Sequence, residues 1–461
     1  MTSRVDPAKK YHSYREVVRV SMPLVISMTT TVVMTFTDRV FLANYSLDAI
    51  AAALPAGIMA FLFFTFFADT AGYINVIIAQ YSGAGALQRV GSALWQGIYF
   101  SLFAWLIMVG ISFLADPLFR LVGHPAEVQQ LEAIYFQVLC LGSGFHIIGM
   151  SLSSFFTGRG VTRPVMIIYL VAMFLNVPLD YALINGLWIF PEMGIRGAAV
   201  ATAFSWAITT LLLGLIVFTR ENDRSFGIFK NHDYDADLFR RLLRFGIPSA
   251  LHFSLDVFAF VFFVFMVGRI GKTELAVTNI AISLDSVSFR PLIGFALGTS
   301  ALVGQALGRN RPDEAVSAAK ATMVIVASYT SVLVLIYVFV PQPLLDLFRP
   351  RNIGPEGFAA IKSTGIAVLR FVAAYLLLDG IYMIGTAVLK GAGDTKFIMW
   401  SMGLLSVFGM ILPVYVGIEI FGMGLYFAWA CSVFFLCQLA ALTLWRFYQG
   451  KWKGMRVIER N

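Results

Sequence analysis

The chain has 461 residues, 59% of them hydrophobic and only 13% charged. A soluble globular chain carries about 25% charged residues, so the composition excludes that class and points to a polytopic membrane protein. The formal net charge of +8 would suit a nucleic-acid partner, but the basic residues fall where membrane topology puts them, and no nucleic-acid partner is expected.

The N-terminal stretch MTSRVDPAKKYHSYREVVRV is polar and basic. It lacks a cleavable signal pattern and is expected to stay in the cytoplasm. Runs of about 20 apolar residues, the length a span requires, then recur twelve times: about 16–42, 48–78, 92–114, 128–154, 164–186, 194–219, 240–268, 274–304, 316–340, 362–388, 396–418 and 422–446. The expected fold class is an all-α polytopic membrane protein of 12 transmembrane helices. With the N-terminus inside, the cytoplasmic segments hold 24 Lys and Arg and the external segments seven, while Arg39, Arg290 and Arg370 fall within spans. That bias is the positive-inside rule with both termini cytoplasmic. It predicts an integral protein of the plasma (inner) membrane, surrounded by lipid.

The first span carries Pro23, and Asp38 follows in MTFTDRVFLA, with Thr31 and Thr35 on the same helix face. Asp69 and the motif AQYSGAG close the second span. The fifth contains FLNVPLDYALI, in which Asn176 and Asp180 stand four residues apart and share a face. Thr219 to Arg241 is the longest polar stretch. It divides the chain into an N-lobe at 1–219, a cytoplasmic linker at 220–237 and a C-lobe at 238–461, with six spans in each lobe. The C-lobe opens with Pro248, followed by His252 and Asp256 at i and i+4. Asp285, GQALGRN, then Tyr375 and Asp379, again at i and i+4, follow in order.

The lobes repeat each other. Pro23 and Pro248, Gln80 and Gln305, and Gly83 and Gly308 are each 225 residues apart, and TGRGVTRP (Thr157 to Pro164) corresponds to KGAGDTKF (Lys390 to Phe397). Six spans per lobe make the repeats parallel, a class in which the transport site lies near the bilayer midplane. Pro23 and Pro248 are the expected kinks of the first and seventh helices.

An aspartate at a helix centre costs about 2.5–3.5 kcal/mol to insert. Asp38, Asp69, Asp180, Asp256, Asp285 and Asp379 must therefore line a wet cavity, bind a cation or be protonated. A carboxylate beside an amide or hydroxyl oxygen suits a hard monovalent cation, and a buried carboxyl equally suits a proton. Interhelical hydrogen bonding is the plainer alternative for any single pair. For Asp69 and Asp285 that alternative, or a gating role, is the preferred reading. The three cysteines, Cys140, Cys431 and Cys437, have no metal spacing and imply no disulfide framework. No HExxH, CxxC or GxxxxGK[ST] occurs, so no enzyme is expected and energy must come from an ion gradient.

These motifs in this order resemble the multidrug and toxic compound extrusion (MATE) family, its NorM-like branch in particular. MTFTDRVFLA, FLNVPLDYALI, IRGAAVATAFSW with Thr202, AQYSGAG and GQALGRN carry the resemblance over nearly the whole chain. It implies two homologous six-helix bundles in a V, alternating access, and secondary antiport of amphipathic, mostly cationic small molecules against H+ or Na+, with no other cofactor. It places the N-lobe cation site at Asp38, Asn176, Asp180 and Thr202, the metal ligands if sodium is the ion, and a C-lobe acidic or substrate cluster at Asp256, Tyr375 and Asp379. Asp256 stands where that branch usually has Glu. The 42 Phe and 18 Met supply adaptable apolar surface for such substrates. The chain is expected to act as a monomer. The alternatives are a lipid-linked precursor flippase of the same superfamily, disfavoured by the intramembrane aspartates, and an ion channel, which needs no duplicated acidic lobes.

Overall fold

The computed structural model describes residues 14–122, 124–348 and 355–459. Arg349 and Arg351, counted as external in the charge pattern, and the first 13 residues lie outside them. Among the described residues the chain is helical throughout, as hydrocarbon demands, because a helix satisfies its backbone polar groups internally. In order the elements are α1 (Tyr14–Tyr45), α2 (Leu47–Gly72), α3 (Ile74–Ala84), α4 (Leu87–Ser112), α5 (Ala115–Val122), α6 (Ala126–Thr157), α7 (Arg163–Asn185), α8 (Ile195–Val217) and α9 (Arg220–Phe226). Then come α10 (Ala236–Ile270), α11 (Lys272–Gly308), α12 (Pro312–Phe339), α13 (Pro341–Asp346), α14 (Pro355–Ala392), α15 (Thr395–Leu405), α16 (Leu412–Tyr415) and α17 (Leu425–Gln449).

Twelve helices or helix runs among the described residues are long and apolar enough to span. They coincide with the twelve expected runs, mostly extended by a few residues at each end. Two depart from simple rods. The second span is α2 and α3 in succession, interrupted at Tyr73. The eleventh passes from α15 through π-helical turns at Ser406–Ile411 and Val416–Ile420, with α16 between them. Pro413 in α16 lacks an amide hydrogen and crowds the carbonyl four residues back, and wider turns accommodate both.

By backbone contact the chain divides into two units. The N unit comprises Ile26–Leu251, Gly308–Asn310 and the residues from Arg456 on. The C unit comprises the residues up to Val25, His252–Leu307 and Arg311–Met455. Each unit has its own apolar core, the N unit around Phe119, Phe136 and Phe155, the C unit around Phe263, Trp429 and Phe435. Small residues let helices close in. A Cβ at Gly197 on α8 would come within 2.6 Å of the Leu183 carbonyl on α7.

The last described residues fold back into the N unit. Val457 and Ile458 are buried in its core, and the Val457 amide donates to Gln80 Oε1 at 2.9 Å. Glu459 accepts from the Tyr81 hydroxyl at 2.6 Å and from Arg89 at 2.8 Å, and lies 3.6 Å from Arg241. Arg89 also binds Asp235 at 2.8 Å. Partial burial pushes the Asp235 carboxyl up, but the Leu238 amide and the Arg89 guanidinium outweigh it and hold it below the usual carboxylate range. At Glu459, burial is likewise outweighed by the Tyr81 hydroxyl, the Arg89 guanidinium and the Arg241 charge, with the same net direction.

Candidate ion-coupling sites

In the N unit, α1, α6 and α7 bring three functional side chains together. Asp38 on α1 is 7% exposed and Asp180 on α7 is 1% exposed, so neither faces lipid. The two lie within electrostatic reach of each other. Tyr135 on α6 donates its hydroxyl to Asp38 Oδ2 at 3.3 Å. Asp38 Oδ1 and both oxygens of Asp180 are buried with no hydrogen-bond partner. Asn176, also buried, sits one turn before Asp180, and Pro178 between them removes one amide donor from the helix. Thr202 is half-buried on α8 and makes no hydrogen bond to Asp180.

Three buried carboxyl oxygens without donors are costly as anions in a dry interior. A proton on either carboxyl, or a monovalent cation on this set of hard oxygen donors, relieves that cost. Among the described residues, no group of three or more His, Cys, Asp or Glu is set to hold a metal ion. Two carboxyls with neutral oxygens beside them form a small hard-oxygen donor set, suited to a proton or a singly charged ion.

The C unit has a wider acidic cluster on α10, α11 and α14. Asp379 and Tyr375 are buried, and Asp256 and Asp285 half-buried. Asp379 lies within electrostatic reach of both Asp285 and Asp256. Tyr375 directs its hydroxyl to Asp285 and stands near Asp379 as well. Its ring is parallel to Trp429 at 6.5 Å. His252 turns to Tyr382 instead of Asp256, with 2.6 Å between the ring Nε2 and the hydroxyl. Lys390 lies within electrostatic reach of Asp256.

Sequence reasoning passed over Tyr135 and gave Asp285 no place in the cluster. Tyr135 meets Asp38 from another helix, and Asp285 has no polar neighbour four residues before it, the cue used for Asp180, Asp256 and Asp379. Asp69 accepts from Ser249 at 3.1 Å, a link between α2 and the first part of α10 within the N unit. Pro23 and Pro248 are both buried inside continuous helices. The chain changes unit just past each of them, between Val25 and Ile26 and between Leu251 and His252.

The MatE family model matches the chain twice, over residues 23–182 and 248–415. The two matches begin at the two prolines that set the 225-residue offset. A probable multidrug resistance protein NorM of Thermotoga maritima is 26% identical over 454 residues, covering 97% of this chain and 95% of its own. The multidrug resistance protein NorM of Burkholderia vietnamiensis is 25% identical over 455 residues, covering 97% and 96%. Among solved structures, the outward-facing conformation of a multidrug resistance MATE family transporter of the MOP superfamily superposes with a TM-score of 0.86 at 20% identity, covering 96% of this chain and 97% of that one. This last likeness is one of fold.

Proposed function

The chain belongs to the MatE family and is an integral membrane transporter, not an enzyme; from that premise we propose that it is a secondary active multidrug efflux antiporter. It exports amphipathic, mostly cationic compounds in exchange for H+ or Na+ by alternating access, as a monomer in the plasma membrane with both termini in the cytoplasm. The observation that carries the coupling is the Asp38–Asp180 pair, whose buried oxygens lack donors. Loading one positive charge there relieves an uncompensated burial, and losing it restores the cost, so ion occupancy changes the relative energy of the states that differ in this site. Asn176 and Thr202 supply further oxygens if the ion is sodium. The C-unit carboxyls at Asp256, Asp285 and Asp379, beside the aromatic faces of Tyr375 and Trp429, attract and orient a cationic substrate. Pro23 and Pro248 supply the bends about which helix segments shift.

The test is transport in proteoliposomes with proton and sodium gradients imposed separately. Asp38→Asn is expected to abolish gradient-driven export of a fluorescent lipophilic cation while inserting normally. Export that survives in Asp38→Asn overturns the reading.

A further inference from the structure

The turn TGRGVTRP between α6 and α7 holds an arginine that the ion-coupling chemistry does not use. Arg159 lies two residues past Thr157, where one span ends, and four before Arg163, where the next begins, so it sits at the membrane boundary. Its Nε donates to the Phe155 carbonyl at 2.7 Å. Its guanidinium carbon lies 3.8 Å from the centre of the Phe155 ring and 4.4 Å from that of Phe226 on α9. Two rings and a hydrogen bond fix the side chain. Its two terminal nitrogens, the fork that grips oxyanions, have no protein partner among the described residues. Neither is sealed from solvent. Burial pushes the guanidinium down to about 10, and no carboxylate offsets the shift.

The C unit shows what is missing. The corresponding turn, KGAGDTKF, carries Asp394, which pairs with Arg446 at 2.6 Å, and the Arg446 guanidinium carbon lies 4.7 Å from the centre of the Phe397 ring. The position of Asp394 is taken in the N-unit turn by Val161, which is 46% exposed. Each unit thus stacks an arginine on phenylalanine at this turn, but only the C unit supplies the anion. The neighbourhood does not supply one either. Arg163 on α7 and Arg220 and Arg224 on α9 are exposed and form no ion pair among the described residues. Of the two acids on α9, Asp223 accepts the Phe229 amide at 2.7 Å, and neither it nor Glu221 pairs with Arg159. A fixed, partly dehydrated guanidinium with an open fork matches a phosphate. Further along α7, Ile167, Val171 and Phe174 are exposed at one-turn intervals, an apolar row for an acyl chain to follow.

We propose that Arg159 binds the phosphate of an anionic phospholipid at the membrane boundary, the charges of Arg163 and Arg224 favouring a headgroup of net negative charge. The site stands apart from the coupling carboxyls and needs no assumption about the exchanged ion.

The test uses the purified, delipidated full chain in a neutral detergent. It is titrated with short-chain phosphatidylglycerol, with phosphatidylcholine of the same chains and with inorganic phosphate, while thermal unfolding is followed, since a ligand of the folded state raises the midpoint. Phosphatidylglycerol is expected to act at about tenfold lower concentration than phosphatidylcholine. Arg159→Gln should need about tenfold more phosphatidylglycerol for the same rise. Arg159→Lys keeps the charge but not the fork and should fall between; it stands in if Arg159→Gln does not fold. Val161→Asp, at an exposed position, places the C unit's acid in the N-unit turn and should weaken the response as well. Wild-type responses from both Arg159 variants, or equal responses to the two lipids, overturn the site. A rise with inorganic phosphate matching that with phosphatidylglycerol makes a free anion the occupant and overturns the lipid assignment. Export is not read in this experiment, so its failure leaves the antiport reading where the Asp38→Asn test puts it.

Discussion

The two units bury acid in different ways. In the N unit, Asp180 accepts no hydrogen bond and Asp38 accepts one long one from Tyr135. In the C unit, none of Asp256, Asp285 and Asp379 has a fully buried oxygen left without a partner. Tyr375 serves Asp285, and Lys390 adds positive charge near Asp256. The C unit therefore holds more carboxyls, but only Asp285 among them has a hydroxyl donor, and none of the three has an oxygen that is both sealed from solvent and unpartnered. What distinguishes the N-unit pair is carboxyl oxygens sealed without a donor, not the number of acids, and a duplicated scaffold supports both arrangements.

The sharpest way to break this comparison is to neutralise the most deprived acid. Asp180→Asn should lose gradient-driven export and yet unfold later, with a stability gain of about 1–3 kcal/mol, because a poorly satisfied buried carboxyl is exchanged for a neutral amide. Thermal unfolding in detergent together with dye export checks this, and a lowered midpoint would remove the contrast. Tyr375→Phe is expected to cost about 1–2 kcal/mol by stripping a donor from Asp285. Tyr135→Phe, which gives up a 3.3 Å bond, should cost less, and comparing the two midpoints measures how differently the clusters are served. The smallest effect belongs to the cytoplasmic cluster. Asp235 and Glu459 sit below their ordinary values in the folded chain. Their contribution is therefore complete above about pH 4, the unfolded carboxylate range, and is lost as pH falls through the folded values. Glu459→Gln should lower the midpoint at neutral pH by the equivalent of only about 0.5 kcal/mol, since its ion-pair partners are partly exposed. The difference from wild type should vanish in acid.

The twelve spans were legible because hydrocarbon leaves the backbone few options, and apolar length alone marks them. The interruption at Tyr73 and the π-helical turns around Pro413 were not, because a glycine or proline inside an apolar run is compatible with a straight helix, a bend or a widened turn. Helical spacing placed Asn176 beside Asp180. The same spacing grouped His252 with Asp256, but the imidazole found the Tyr382 hydroxyl on another helix. Tyr135 and Asp285 gain their meaning from residues between 90 and 97 positions away, and no local pattern encodes such meetings. Residues 456–459 read only as part of a basic tail, yet Val457 and Ile458 anchor it in the N-unit core.

That anchor bears on how the protein is handled. A purification tag or fluorescent reporter inserted directly after Glu459 meets a carboxylate already engaged by Tyr81 and Arg89. A fusion there without a generous spacer tugs on Val457 and on the Gln80 side chain that receives its amide. Localisation or yield measured with such a fusion would then report on a disturbed fold.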